Sequence, residues 1–120
     1  MPKILTIEDS AFERNAIINV LSKAGYKDII EAATAGEGLK RYGEEKPDLV
    51  LLDLRMPDVE IGIDTLKKLI KLRAQAKIIV VSIVRDKETI DECIKLGAKA
   101  YINKPVTEGK LIPEVKKVLG

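Results

Sequence analysis

Residues 49–54 read LVLLDL, an apolar run of strand length that carries one carboxylate, Asp53, near its end. Burying a carboxylate costs free energy unless its charge is compensated, so the run implies partners supplied by other segments. Runs of the same kind lie on both sides of it. KILTI (3–7) and DIIEA (28–32) precede it, DLVLL (48–52) contains most of it, and KIIVV (77–81) and AYIN (100–103) follow. Their length and β-branched content predict five strands. Between the runs, residues recur at helical spacing: Ala16, Ile17, Val20, Leu21 and Ala24, stopping at Gly25; Leu66, Leu69, Ile70 and Arg73; Ile90, Cys93, Ile94 and Gly97; and Leu111, Val115 and Val118. Residues 35–45 predict a weaker helix, carried by Leu39 and Tyr42. Five βα units in this order imply a doubly wound α/β fold, a five-stranded parallel sheet with helices on both faces. Right-handed crossovers then leave few topologies.

Composition bounds the function. The 120 residues are 46% hydrophobic, enough for a single domain over 1–120 with its own core. Lysine and arginine number 21 against 19 aspartates and glutamates, and the formal charge of +2 gives no general reason to expect nucleic-acid binding. Three tyrosines and one phenylalanine also make a poor base-stacking surface. A single cysteine, Cys93, excludes an internal disulfide and reads as core filler on its helix. The start MPKILTIED lacks a signal-peptide core, and no apolar run approaches membrane-spanning length, so a cytoplasmic protein without membrane insertion is expected. Histidine is absent, which removes histidine bases, ligands and phosphoacceptors from this chain.

The polar residues then fall into place. Glu8 and Asp9 follow the first run, Asp53 the third, Ser82 the fourth and Lys104 the fifth. Each lies at the carboxyl end of an expected strand, the edge at which open α/β sheets bind ligands. Three carboxylates gathered there would repel one another unless a cation joined them. A hard divalent ion such as Mg²⁺ suits such oxygens and retains sites for phosphate oxygens. The Lys104 ammonium and the Ser82 hydroxyl suit phosphoryl oxygens. Asp53 is the natural nucleophile, because a carboxylate can take a phosphoryl group as an acyl phosphate.

With ED after the first strand, LLDLRMP around the third, VVS ending the fourth and YINKP at the fifth, the chain resembles the receiver domains of two-component response regulators over its whole length. The resemblance implies a flavodoxin-like three-layer α/β/α fold with strand order 2-1-3-4-5. It implies Asp53 as phosphoacceptor, Asp9 as a direct Mg²⁺ ligand, Glu8 acting largely through a metal-bound water, and the Arg55 backbone carbonyl completing the ligands. Ser82 and Lys104 would bind the phosphoryl group, and Tyr101 would be the aromatic whose position reports phosphorylation. The Lys104–Pro105 pair matches one usually joined by a cis bond. The implied partners are a histidine kinase or phosphotransfer protein and a downstream protein target, signalling through the surface of helix four, strand five and helix five. Self-catalysed phosphotransfer and slow autodephosphorylation are expected, not turnover of a separate substrate. A chain ending at Gly120 would signal by protein contact, as a single-domain regulator does.

Three departures from the family pattern stand out. The residue after Ser82 is normally small, and here Ile83 is expected to obstruct the phosphoryl site. The loop before Gly62 is one residue longer, leaving open whether Asp58 or Glu60 approaches the metal. Pro113 falls where the last helix should be under way, so that helix is expected to start near Ile112 or to kink. Competing readings are a degenerate receiver that acts as a phosphorylation-independent interaction module, a Mg²⁺-dependent aspartyl-phosphate phosphatase and a flavodoxin-type cofactor binder. Intact Glu8, Asp9, Asp53, Ser82 and Lys104 weigh against the first. Arg55, where an acid/base Asp would stand, weighs against the second, and the lack of Trp and scarcity of aromatics against the third. Asp9 or Ser10 could also serve merely as a helix cap.

Overall fold

The computed structural model describes residues 1–120. Strands β1 (Lys3–Ile7), β2 (Asp28–Ala32), β3 (Leu49–Leu52), β4 (Ile78–Ser82) and β5 (Ala100–Asn103) alternate with helices α1 (Ala11–Lys23), α2 (Ala35–Glu45), α3 (Val59–Leu72), α4 (Lys87–Leu96) and α5 (Glu108–Leu119). All neighbouring strands pair in parallel, in the order β2-β1-β3-β4-β5. This is the doubly wound arrangement expected from the alternation of runs and helices.

Every residue of β3 and β4 is buried, because both faces of the sheet are covered. On one face Leu5, Ile7, Val50, Leu52, Ile78 and Val80 pack with Tyr42 of α2, Leu66 and Leu69 of α3, and Cys93 of α4. On the other, Ile4, Leu49, Leu51, Ile79 and Val81 pack with Ile17 and Leu21 of α1 and Leu111, Ile112 and Val115 of α5. The period-two alternation along each strand therefore feeds two separate cores.

Each helix begins behind a short polar residue. Ser10, Thr34, Asp58, Asp86 and Thr107 each accept the N–H of the residue three positions on, satisfying a donor that the helix itself cannot. In a parallel βα sheet these starts lie along the carboxyl edge of the strands, so the caps fix how each loop leaves the sheet.

Three expectations need correction. Strand β4 covers Ile78–Ser82 rather than 77–81, so Ser82, expected just past the run, is its last residue and pairs with Asn103. Helix α5 starts at Glu108 behind Thr107 and continues through Pro113 instead of starting near Ile112. The proline forfeits only the bond to the Gly109 carbonyl four residues back, at an exposed position, while the cap and the burial of Leu111, Ile112 and Val115 hold the helix. Ile94, placed on the apolar stripe of its helix, is 46% exposed; its neighbour Cys93 is fully buried as core filler.

Gly62 marks a close approach. A Cβ there would run into the backbone carbonyl of Leu54, so the first turn of α3 rests directly on the chain that leaves β3. The loop after Asp53 thus ends with α3 pressed against Leu54.

Candidate functional site

The strand order reverses between β1 and β3, since the chain winds outward from β1 to β2 and then crosses to the other side. Glu8 and Asp9 leave β1 at this point, and Asp53 leaves β3, its backbone N–H donating to the Ile7 carbonyl at 3.0 Å. Ligand oxygens of Glu8, Asp9 and Asp53 lie within 4.8 Å of one another. Glu8 and Asp53 are 1% and 5% exposed, whereas Asp9 faces solvent.

Lys104 reaches this cluster from the end of β5. Its Nζ lies 2.7 Å from Glu8 Oε1, 3.2 Å from Glu13 Oε2 and 3.7 Å from Asp53 Oδ2, and the residue is 8% exposed. The backbone around it is anchored. The Lys104 N–H donates to the Ser82 carbonyl at 3.0 Å, Arg85 donates to the Lys104 carbonyl at 3.1 Å, and the Lys104–Pro105 bond is cis. Arg14 donates to the Glu8 carbonyl at 2.7 Å while pairing with Glu31 at 2.8 Å, which holds the end of β1 against α1.

Ser82 is fully buried, and its Oγ accepts the Val84 N–H at 3.1 Å. Tyr101, half-buried, donates its hydroxyl to the Val84 carbonyl at 2.7 Å. The two side chains therefore grip the same residue of the β4–α4 loop. Arg55 forms part of the cleft wall, and its N–H donates to Asp53 Oδ1 at 3.4 Å. Ile83 is 49% exposed and lines the same cleft of about 220 Å³, bounded also by Asp9, Glu13, Asp53 and Lys104.

Burial sets the protonation of this cluster. It pushes the Glu8 carboxyl from 4.5 up to about 7, against the hydrogen bond from Lys104, with the Asp53 charge pushing the same way as burial. Asp53 is also raised by burial, against the Lys104 charge. For Lys104, burial works against the ammonium, yet the hydrogen bond to Glu8 and the charge of Asp53 prevail and its pKa rises. A carboxyl whose pKa is raised by folding contributes stability that is fully present below its unfolded value and lost as pH rises through its folded value. The cation-free protein is therefore expected to lose stability between pH 4.5 and about 7, an effect that Glu8→Gln should flatten. Urea midpoints measured across this window check it; an equal slope in wild type and variant would count against it.

Of the sequence-chosen residues, Glu8, Asp9, Asp53 and Lys104 come together with Arg55 beside them, while Ser82 and Tyr101 meet at Val84 of the adjoining loop. Asp58 and Glu60 join neither group: Asp58 accepts the Ile61 N–H at 3.1 Å as the cap of α3, and Glu60 is exposed in its first turn. Both residues thus belong to the start of α3 and not to the cluster. Ser10 takes the capping role on α1, which leaves Asp9 to the cluster. Glu13 is the residue that reading the sequence missed. Its spacing from Ser10 reads as an ordinary capping box, and only the fold reveals Lys104 beside it.

The family model described as the response regulator receiver domain matches residues 4–116. Chemotaxis protein CheY of Thermotoga maritima is 37% identical over 116 residues, spanning 97% of this chain and 96% of the relative. CheY of Bacillus subtilis is 34% identical, spanning 98% and 97%. Among solved structures, a CheY-like receiver domain protein from Methanospirillum hungatei superposes with a TM-score of 0.89 at 35% identity, covering 99% of this chain and 94% of the other. The CheX-CheY-BeF3-Mg complex from Borrelia burgdorferi gives 0.91 at 27% identity, covering 98% and 89%. A model matched over nearly the whole chain, relatives above 30% identity and the same strand order agree: the chain belongs to the response regulator receiver domain family.

Proposed function

We propose that this receiver domain is a phosphorylation switch whose acceptor is Asp53. The observation that carries the reading is the pairing, at the β1–β3 switch point, of a buried carboxylate with a buried ammonium and two further carboxylates. Asp53 Oδ attacks the phosphorus of a phosphohistidine on a partner kinase or phosphotransfer protein. The P–N bond breaks, its electron pair stays on the histidine nitrogen, and Asp53 becomes an acyl phosphate. Lys104 meets the new phosphoryl oxygens as a fixed cation, and the Ser82 hydroxyl donates to them. The domain thereby modifies itself and is not assigned turnover of a separate substrate.

The donor set fits Mg²⁺: hard carboxylate oxygens of Glu8, Asp9 and Asp53 sit close together, and Arg55, on the wall of the same cleft, would add its backbone carbonyl. When bound, the ion neutralises charge on the carboxylates and phosphoryl oxygens. Likeness to the Borrelia protein, whose structure contains BeF3 and Mg as well as CheX, supports both this ion and a protein as downstream partner. No helix is long and apolar enough to cross a membrane, and the reading places the domain in the cytoplasm with its kinase.

Output follows from Val84. Drawing the Ser82 hydroxyl toward a phosphoryl group weakens its hold on the Val84 N–H, and the Val84 carbonyl is where Tyr101 is tied. A new charge at Asp53 therefore reaches Tyr101 through one residue and biases the surface of α4, β5 and α5. The interaction-module reading is disfavoured because every charged partner of Asp53 is in place.

Incubation with acetyl phosphate and Mg²⁺, followed by intact mass measurement, tests the proposal. Wild type should gain one phosphoryl group and Asp53→Asn none. Equal gain by both sinks it, as does no gain by wild type from either acetyl phosphate or a phosphorylated kinase. Ile83 supplies a graded prediction. Trimming its branched side chain from the cleft wall in Ile83→Ala should speed phosphorylation, dephosphorylation or both by roughly tenfold, the lower end of what a few methylene groups control in a pocket. Time courses of the phosphorylated mass read this, and unchanged rates in both directions would refute it.

A further inference from the structure

We infer that Glu13 is a positioning residue that holds Lys104 away from Asp53 in the resting state and so restrains phosphorylation. This rests on the reading of Asp53 as acceptor. An ammonium has three donors, and the nearest oxygens are those of Glu8 at 2.7 Å and Glu13 at 3.2 Å, with Asp53 beyond hydrogen-bond reach at 3.7 Å. The lysine thus spends its short contacts on two residues that do not receive the phosphoryl group. Glu8 is a fixed partner, 1% exposed, with its second oxygen accepting the Ser10 N–H at 3.2 Å. Glu13, 41% exposed, is the partner that can swing aside into solvent.

The helix start shows that Glu13 has been diverted. Ser10 Oγ accepts the Glu13 N–H at 3.2 Å, half of a capping box, in which the glutamate would normally reach back to the backbone N–H at the helix start. On α2 the equivalent residue does reach back to the backbone, one residue before the cap: Glu37 Oε1 accepts the Ala33 N–H at 2.7 Å, and Thr34 Oγ1 accepts the Glu37 N–H at 3.0 Å. On α1 the Ser10 N–H is taken by Glu8, and the Glu13 carboxylate goes to Lys104 at the mouth of the cleft. Any phosphoryl group entering that mouth must displace Glu13 from Lys104 and approach its negative charge.

With acetyl phosphate as donor, Asp53 Oδ attacks phosphorus, the bond to the acetyl oxygen breaks and acetate leaves with the electron pair. Glu13→Gln is expected to be phosphorylated about threefold to tenfold faster than wild type at low salt, the effect of one charge at a partly solvated mouth. The gain should shrink at high ionic strength. Glu44→Gln, which removes an exposed charge near the end of α2, should match wild type. A lysine-selective NMR spectrum of the cation-free protein gives a readout independent of phosphorylation. The Lys104 ammonium signal should shift in Glu13→Gln, and its exchange with water should quicken. Wild-type rates in Glu13→Gln, or an unmoved Lys104 signal, overturn the inference. Failure of wild type to accept phosphate while the Lys104 signal responds would overturn the acceptor reading and restraint of phosphorylation together, leaving the contact itself intact.

Discussion

Lys104→Met is expected to destabilise the cation-free protein by about 3 kcal/mol in mildly alkaline solution, because it strands buried carboxylates without their cation. The methionine keeps most of the aliphatic stem, so the loss is chiefly that of charge. It should be pH-dependent in a definite direction. Burial already raises Glu8 to about 7 and raises Asp53 despite the lysine, and removing the ammonium raises both further. As pH falls these groups take up protons and the penalty shrinks; as pH rises they must become charged and the penalty is felt in full. Denaturant unfolding of both proteins on either side of pH 7 decides this, and a pH-independent difference would show that packing dominates. Under the proposed mechanism the variant also has no cation to hold a phosphoryl group on Asp53, so any phosphorylated form should fail to move Tyr101.

Gly62→Ala should be as damaging for a different reason. The added methyl meets a backbone carbonyl, that of Leu54, which cannot rotate away as a side-chain tip can. Overpacking of a well-filled site typically costs about 1–3 kcal/mol, and a clash with main chain belongs at or above the upper end. The alternative is for α3 to lift, which would pull on Leu54 and so on its neighbour Asp53. Both responses are measurable: a fall of the thermal midpoint by roughly 8 °C or more for a domain of this size, and slower uptake of phosphate even in the folded fraction. Near-wild-type values for both would mean that the loop relaxes freely.

The fold was legible because its signals were redundant. Each strand run was bounded by a helical period, and all five strands were placed within one residue of their observed ends. The site was legible because Glu8, Asp9, Asp53, Ser82 and Lys104 are chemically unusual at strand ends. What the sequence hid were consequences of competition between local and tertiary forces. Proline within α5 is a strong local signal, but a good cap and a buried face outweigh it. Ile94 fits the apolar period of α4, yet its face points to solvent. Glu13 carries a pattern with a complete local explanation, and its actual partner lies ninety-one positions away in the chain, beyond the reach of any periodicity. Whether Asp58 or Glu60 approaches the metal was open in the sequence, and α3 beginning immediately after Asp58 takes both to the helix start.

The central place of β3 has a bearing on dynamics. Flanked by β1 and β4 and covered on both faces, it belongs to the part of the molecule whose amide protons are expected to exchange only through the largest openings. The proposed acceptor at its tip is therefore mounted on the element expected to exchange most slowly, while Val84 and Tyr101 lie on a half-exposed loop and the edge strand β5. Chemistry is fixed at the rigid end and readout at the compliant end. Local opening of the β4–α4 loop can thus change the proposed signalling surface without loosening the carboxylate proposed to receive the phosphoryl group.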